Sequence, residues 1–202
     1  MSKIKILDES LINKIAAGEV IERPASVVKE LVENSIDAES TKIFVDIEDG
    51  GKNLIKVSDN GTGMSKEDAA IAFERHSTSK IKDINDLFSI KSLGFRGEAL
   101  ASIASVSELE VKTKSKDSME GTKIIIEGGN VKKSETIGFP QGTSITIRNI
   151  FFNTPARKKY LKPNETENRH IIDVITKYSL SHPYIHFRLK NNGKEIINSP
   201  QT

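Results

Sequence analysis

The stretch from Glu22 to Ala38 constrains the fold more than any other part of the chain. Val28, Leu31, Val32, Ser35 and Ile36 recur at i, i+3, i+4, i+7 and i+8, the stripe by which a helix packs on a core. Pro24 suits a first helical position, because the N–H it lacks would have found no partner there. On another face Glu30, Asn34 and Asp37 fall three and four apart and so become neighbours. A carboxylate beside a carboxamide on a rigid element is either a solvated polar face or a base next to a metal ligand. The helix alone does not decide between them.

Around this helix the apolar period changes. Leu11 to Ala17 is a short helical candidate, with Asp8 or Ser10 as its cap and Gly18 at its end. After the main helix, Ile43–Glu48 and Leu54–Ser58 alternate as strands about a hairpin turn at Asp49-Gly50-Gly51. Ser65 followed by Asp68 predicts a helix running to about Arg75. From His76 to Gly97 serines and glycines punctuate the pattern, with only Ile84 to Phe88 as a short helical turn; inside a compact domain such a stretch is functional or mobile. Glu98 to Ser105 then reads as a small-residue helix.

Strand signals cluster later, at Glu108–Thr113, Thr122–Glu127, Val131–Thr136 and Thr143–Ile147. Gly121, Gly128-Gly129 and residues 138–142 separate them, the spacing of an antiparallel meander. Phe151 to Pro155 reads as a loop. Thr166 to Ser181 is a helix with Ile171, Ile172, Ile175 and Tyr178 on one side. Tyr184–Leu189 and Glu195–Ile197 pair across Asn191-Asn192-Gly193. Helices early and strands late make an α+β pattern, with no repeat or composition break to split residues 1–202 into two domains.

Composition removes several chemistries. The chain has no Cys, which excludes disulfides, thiolate catalysis and Cys-based zinc sites. Of its four His, only His182 and His186 approach ligand spacing, and Pro183 with the strand that follows argues against a metal there. No apolar run reaches membrane-spanning length, and Met1 to Leu7 lacks the apolar core of an export signal, so a cytoplasmic protein is expected, nucleoid-associated if prokaryotic. A formal net charge of +2 carries no global polyanion signature. Any weak DNA contact must come from a local patch, Arg157, Lys158, Lys159 and Lys162.

Three further patterns bear on chemistry. Gly94-Phe95-Arg96-Gly97-Glu98-Ala99-Leu100 sets two glycines ahead of a helix, which suits a phosphate held on free N–H groups with Arg96 as charged donor. It is not a P-loop, since G-x-x-x-x-G-K-[ST] is absent. Asp59-Asn60-Gly61-Thr62-Gly63 ends a strand with a carboxylate able to accept from an exocyclic amine, and its glycines clear room for a flat ring. Gly142-Thr143 opens a later strand. Each also has a bland reading as ordinary turn chemistry.

Their order is more telling than any one of them. An E-x-x-x-N helix, a strand-borne D-x-G-x-G, a glycine-rich loop capping a helix and a late Gly-Thr resemble the ATP-binding fold of type II topoisomerases, ninety-kilodalton heat-shock chaperones, sensor histidine kinases and MutL mismatch-repair proteins. The resemblance to the MutL family is close along Ile15 to Ala38, Arg75 to Lys80, Gly94 to Ile103 and Phe152 to Arg157. It implies a mixed, mostly antiparallel sheet with helices on one face.

The resemblance also implies roles. The carboxylate matching Glu30 would be the general base for water attack on the γ-phosphate of ATP, and the amide oxygen matching Asn34 would bind Mg²⁺. Asp37 would line the same pocket. Asp59 would read adenine, with Gly61, Gly63 and Thr143 about the base. Thr78, Ser79 and Lys80 would lie in the ATP lid, and Gly94 to Leu100 would hold the phosphates. Glu33 adjoins the site, either as part of it or as structure. ATP would order the lid and the N-terminal segment, giving a nucleotide-dependent homodimer that serves a mismatch-recognition protein.

The family's ATPase region continues into a second small domain that gives a lysine to the γ-phosphate, then a linker and a dimerisation domain, sometimes with a nuclease site. This sequence stops at Thr202, so a longer protein and weak hydrolysis by this part alone are expected. Two other readings stay open: a related topoisomerase or chaperone ATPase, and a DNA-binding module without turnover.

Overall fold

A computed structural model of the chain describes residues 8, 12, 15, 17, 18, 20–74, 77 and 98–202. Its elements are α1 (Pro24–Asp37), β1 (Lys42–Glu48), β2 (Leu54–Asp59), α2 (Lys66–Ile71), α3 (Ala99–Ser105), β3 (Glu108–Lys114), β4 (Gly121–Glu127), β5 (Asn130–Ile137), β6 (Gly142–Arg148), α4 (Pro155–Tyr160), α5 (Asn164–Ser181), β7 (His186–Asn191) and β8 (Lys194–Ser199).

The eight strands form one sheet in the order β5-β4-β3-β6-β2-β1-β7-β8. All pairings are antiparallel except β1 with β7. The expected meander holds for β3-β4-β5 alone. β6 returns to the other side of β3 and pairs there with β2 as well. Ile145 and Ile147 explain that placement, because between β3 and β2 both side chains have buried apolar partners on each flank.

Strand alternation builds the core in rows. Leu189, Val45, Val57, Ile145, Val111 and Ile124 face one another across six strands, and Ile47, Ile55, Ile147, Leu109 and Ile126 form the next row. All are buried, on the face against which the helices pack. Each such side chain contributes about 1.5–3 kcal/mol by leaving water. The opposite face is polar and carries ion pairs, among them Lys123 to Glu110 at 3.0 Å and Lys112 to Glu110 at 2.9 Å. No helix among the described residues is long and apolar enough to cross a membrane.

α1 buries Val27, Val28, Leu31, Val32 and Ser35 as its stripe requires. The hairpin joining β1 to β2 turns through a short 3-10 segment, Asp49–Gly51. Ser65 caps α2 by accepting the Asp68 N–H at 3.0 Å, but the helix ends at Ile71 rather than near Arg75, and residues 72–74 leave it as a turn. Ahead of α1, Gly18 and Val20 are themselves helical and Ile21 donates to the Ala17 carbonyl, so the first helical segment runs past Gly18. Residues 151–154 turn as expected, but Pro155 then starts α4, the position where its missing N–H is harmless.

Candidate functional site

The site begins where the third row of the sheet's inner face changes character. Phe187 and Ile43 continue the apolar pattern, and the next partners in register are Asp59, Thr143, Thr113 and Thr122. The alternation that points Ile55 and Val57 into the core therefore points Asp59 the same way, at the end of the sheet where α1 carries its polar face.

Asp59 is held from three sides. Its Oδ1 accepts the N–H of Gly61 at 2.9 Å and of Thr143 at 3.2 Å, and its Oδ2 accepts the Ser35 hydroxyl at 2.9 Å. The buried Ser40 hydroxyl also faces this carboxylate. Burial pushes the carboxyl above its ordinary range, outweighing the hydrogen bonds from Gly61, Ser35, Thr143 and Ser40 that favour the charged form. A half-buried carboxylate held by backbone N–H groups and serine hydroxyls can also accept from an amine on a flat heterocycle.

Thr113 lies at the back of this corner, fully buried. Its hydroxyl accepts the Met64 N–H at 2.9 Å and stands 2.9 Å from the Thr143 hydroxyl and 3.1 Å from the Gly142 carbonyl. Gln141 donates to the Gly61 carbonyl at 3.1 Å, joining the β2 turn to the start of β6. Gly63 has φ +66° and Gly142 φ +120°; a Cβ on the first would be driven into the Lys114 carbonyl, on the second into that of Asp59. Neighbouring backbone thus requires glycine at both places, whatever else occupies the corner.

Ser35 ties Asp59 to α1 one residue from Asn34. Glu30, Asn34 and Asp37 are all half-buried on that helix. The Glu30 carboxylate lies 3.8 Å from the Lys29 ammonium. Glu98, Ala99 and Leu100 open α3, also half-buried, with the Ser102 N–H bonded to the Glu98 carbonyl. Thr78, Ser79, Lys80, Gly94, Phe95, Arg96 and Gly97 lie outside the described residues.

The other end of α3 is braced by the turn after β6. Phe151 N–H donates to the Val106 carbonyl at 2.7 Å, and the Asn153 amide to that of Ser105 at 2.8 Å. Arg157 belongs to this packing: its guanidinium sits 5.7 Å from the centre of the Phe151 ring and against Gly18. Lys158, Lys159 and Lys162 are exposed, so the basic patch is presented by lysines while its arginine turns inward.

Sequence reasoning missed three contributors. Ser35 reads as part of an apolar stripe, Thr113 as an ordinary strand residue, and Tyr178 as core; each instead supplies a hydroxyl to a polar partner. A hydroxyl inside an otherwise apolar periodic pattern was the available signal.

This fold and corner define a domain of an ATPase family. The model for the histidine kinase-, DNA gyrase B- and HSP90-like ATPases matches residues 21–149, and the chain belongs to that family. Within it, the chain is similar to MutL. It is 56% identical over 97% of its length to the DNA mismatch repair protein MutL of Citrifermentans bemidjiense, covering 30% of that protein. To MutL of Thermoanaerobacter sp. strain X514 it is 58% identical over 98% of its length, covering 33%. The chain thus spans about a third of the curated relatives it matches. Among solved structures, the Aquifex aeolicus MutL ATPase domain complexed with ADP superposes with a TM-score of 0.73 at 37% identity, covering 91% of this chain and 65% of that one. The N-terminal domain of a DNA repair protein gives 0.79 at 29% identity over 95% and 57% of the two chains.

Proposed function

We propose that this chain is the ATP-binding and ATP-hydrolysing domain of a DNA mismatch-repair protein. The observation that carries the reading is the placement of Asp59: a half-buried carboxylate at the strand end, tied through Ser35 to the helix that bears Glu30 and Asn34. The ADP held by the Aquifex aeolicus relative supports a nucleotide in the corresponding place.

Asp59 accepts the exocyclic amine of adenine, with Gly61, Gly63 and Thr143 about the ring. The triphosphate then runs past Asn34 and Asp37 towards the start of α3, where Gly94 to Leu100 receive it and Thr78, Ser79 and Lys80 close over it. Glu30 takes a proton from a water whose oxygen attacks the γ-phosphorus. The bond to the β–γ bridging oxygen breaks, leaving ADP and phosphate.

Among the described residues no group of three or more His, Asp or Glu side chains could hold a metal unaided. An Asn34 amide oxygen completed by phosphate oxygens and water is a donor set that Mg²⁺ accepts. Bound there, Mg²⁺ would offset the charge on the phosphates. In the whole protein, ATP binding governs association of two copies and their engagement with a mismatch-recognition protein.

Glu30→Gln tests the assignment. It is expected to keep affinity for a non-hydrolysable ATP analogue while single-turnover hydrolysis falls about 10²–10⁴-fold, the usual worth of a positioned base. Hydrolysis at the parental rate would remove Glu30 from that role.

A further inference from the structure

Behind the corner that holds Asp59, three polar groups converge on the hydroxyl of Thr113, which is fully buried on β3. The Met64 N–H lies 2.9 Å from its Oγ1, the Gly142 carbonyl 3.1 Å and the Thr143 hydroxyl 2.9 Å. A threonine hydroxyl has one proton to donate and two lone pairs that accept. The Met64 N–H can only donate, so it takes one lone pair. The Gly142 carbonyl can only accept, so it takes the proton. The second lone pair is left for Thr143, whose hydroxyl must therefore donate its own proton to Thr113. The reverse arrangement would turn a Thr113 lone pair on the Gly142 oxygen and deny that carbonyl this donor.

We propose that Thr113 is a positioning residue for base selection: it holds the Thr143 proton at the back of the corner and leaves Thr143 only lone pairs to show the ligand. This rests on the reading of Asp59 and Thr143 as the seat of the purine base. Thr143 is half-buried, pairs with Asp59 in register, and donates its N–H to Asp59 Oδ1 at 3.2 Å. Side chains opposite one another on one face stand about 4.5–5.5 Å apart at Cβ. The ligand thus meets a carboxylate and a hydroxyl oxygen side by side, both acting as acceptors.

An exocyclic amine brings two N–H groups and can satisfy both. A carbonyl in its place, as hypoxanthine carries, sets oxygen against oxygen. A Thr143 hydroxyl free to turn would relieve that conflict, because it could donate to the carbonyl as readily as it accepts from the amine. Asp59 favours the amine by its own chemistry; Thr143 favours it only because Thr113 fixes its proton. Thr113 also joins the turn at Met64 to the start of β6. That bracing is separable from selection, since its loss would weaken every nucleotide alike.

Affinities for ADP and inosine diphosphate, measured by calorimetric titration on the full chain, test the proposal, and the diphosphates keep γ-phosphate hydrolysis out of the measurement. The parent is expected to favour ADP. Thr113→Val keeps the shape and removes the hydroxyl. The ratio of the two affinities should then narrow about three- to tenfold, roughly one neutral hydrogen bond, through a gain for inosine diphosphate with ADP held within about threefold. Thr113→Ser retains the hydroxyl and should keep the parental ratio. If Thr113→Val fails to fold, Thr113→Cys carries the test, since a thiol accepts only weakly and should narrow the ratio in the same sense. An unchanged ratio, or one narrowed only by loss of ADP, would overturn the proposal, as would a Thr113→Ser ratio equal to that of Thr113→Val. Asp59→Asn run alongside separates the two ideas: if it binds ADP as the parent does, the seat of the base has been misread and the proposal falls with that reading.

Discussion

Asp59→Asn changes one atom of the site, and its consequences follow from the hydrogen bonds already described. The side-chain oxygen of Asn stays on the Gly61 and Thr143 N–H groups, and the new amino group takes the place of Oδ2. Ser35 tolerates this, because its hydroxyl also lies 3.0 Å from the Leu31 carbonyl and can donate there while accepting from the amide. If Asp59 meets adenine as proposed, the variant loses that acceptor, and two donors now meet there. A hydrogen bond to a charged group is worth about 1.5–3 kcal/mol, so affinity for an ATP analogue should fall roughly 10- to 150-fold.

Stability should move the other way. Burial is the largest influence on Asp59 and raises its pKa, so the folded chain holds this proton more tightly than the unfolded chain does. That contribution to stability is complete when the carboxyl is protonated and is lost as pH rises through its raised range. Asp59→Asn, uncharged throughout, should melt no lower than the parent at neutral pH, and the gap should close on acidification. Nucleotide affinity of the parent should fall over the same range, since the amine needs the ionised carboxylate. Calorimetric titration and thermal melts from about pH 4 to about pH 8 check all three statements. Parental affinity in Asp59→Asn would show that Asp59 does not meet the base. A large loss of stability at neutral pH would show that the hydrogen bonds outweigh burial.

Two further perturbations probe the frame and the surface. Gly142→Ala pushes a methyl into the Asp59 carbonyl at a φ of +120°, and should cost about 3 kcal/mol or more in urea unfolding, whereas Gly193→Ala, with φ +77° and open space, should cost about 1–2 kcal/mol; equal costs would refute the crowding at Gly142. Replacing Lys158, Lys159 and Lys162 by Glu should weaken DNA binding and flatten the dependence of log K on log salt by about 2.7 or more if each lysine meets a phosphate. Arg157→Ala should instead lower the melting temperature, because that side chain packs on Phe151 and Gly18.

Much of this was legible from period alone. The α1 stripe and the alternation of β1, β2 and β6 came through with ends displaced by a residue or two, because both report burial, which the fold must satisfy whatever its topology. Asp59 stood out by position, a carboxylate where a strand gives way to glycines. What could not be read were the partners. Ser35 meets Asp59 across 24 residues, Thr113 meets Thr143 across 30, and Tyr178 meets Glu33 across 145. Those distances close only through the order of the strands and the seat of α5, which periodicity does not encode.

Glu33 shows the physical reason most clearly. An acidic side chain off an apolar stripe reads as solvated, and on an isolated amphipathic helix it would be. Here a second helix covers that side, so the carboxylate requires partners, and among the described residues Tyr178 and Lys29 supply them. The rows of the sheet show the converse. Asp59, Thr143 and Thr113 are inward-facing because Val57, Ile145 and Val111 are, one register step away. A slip of one residue in β2 would turn Asp59 outward and carry its core side chains with it. The apolar rows therefore hold the register on which the polar corner depends, and selection on the core and on the site acts through the same pairing.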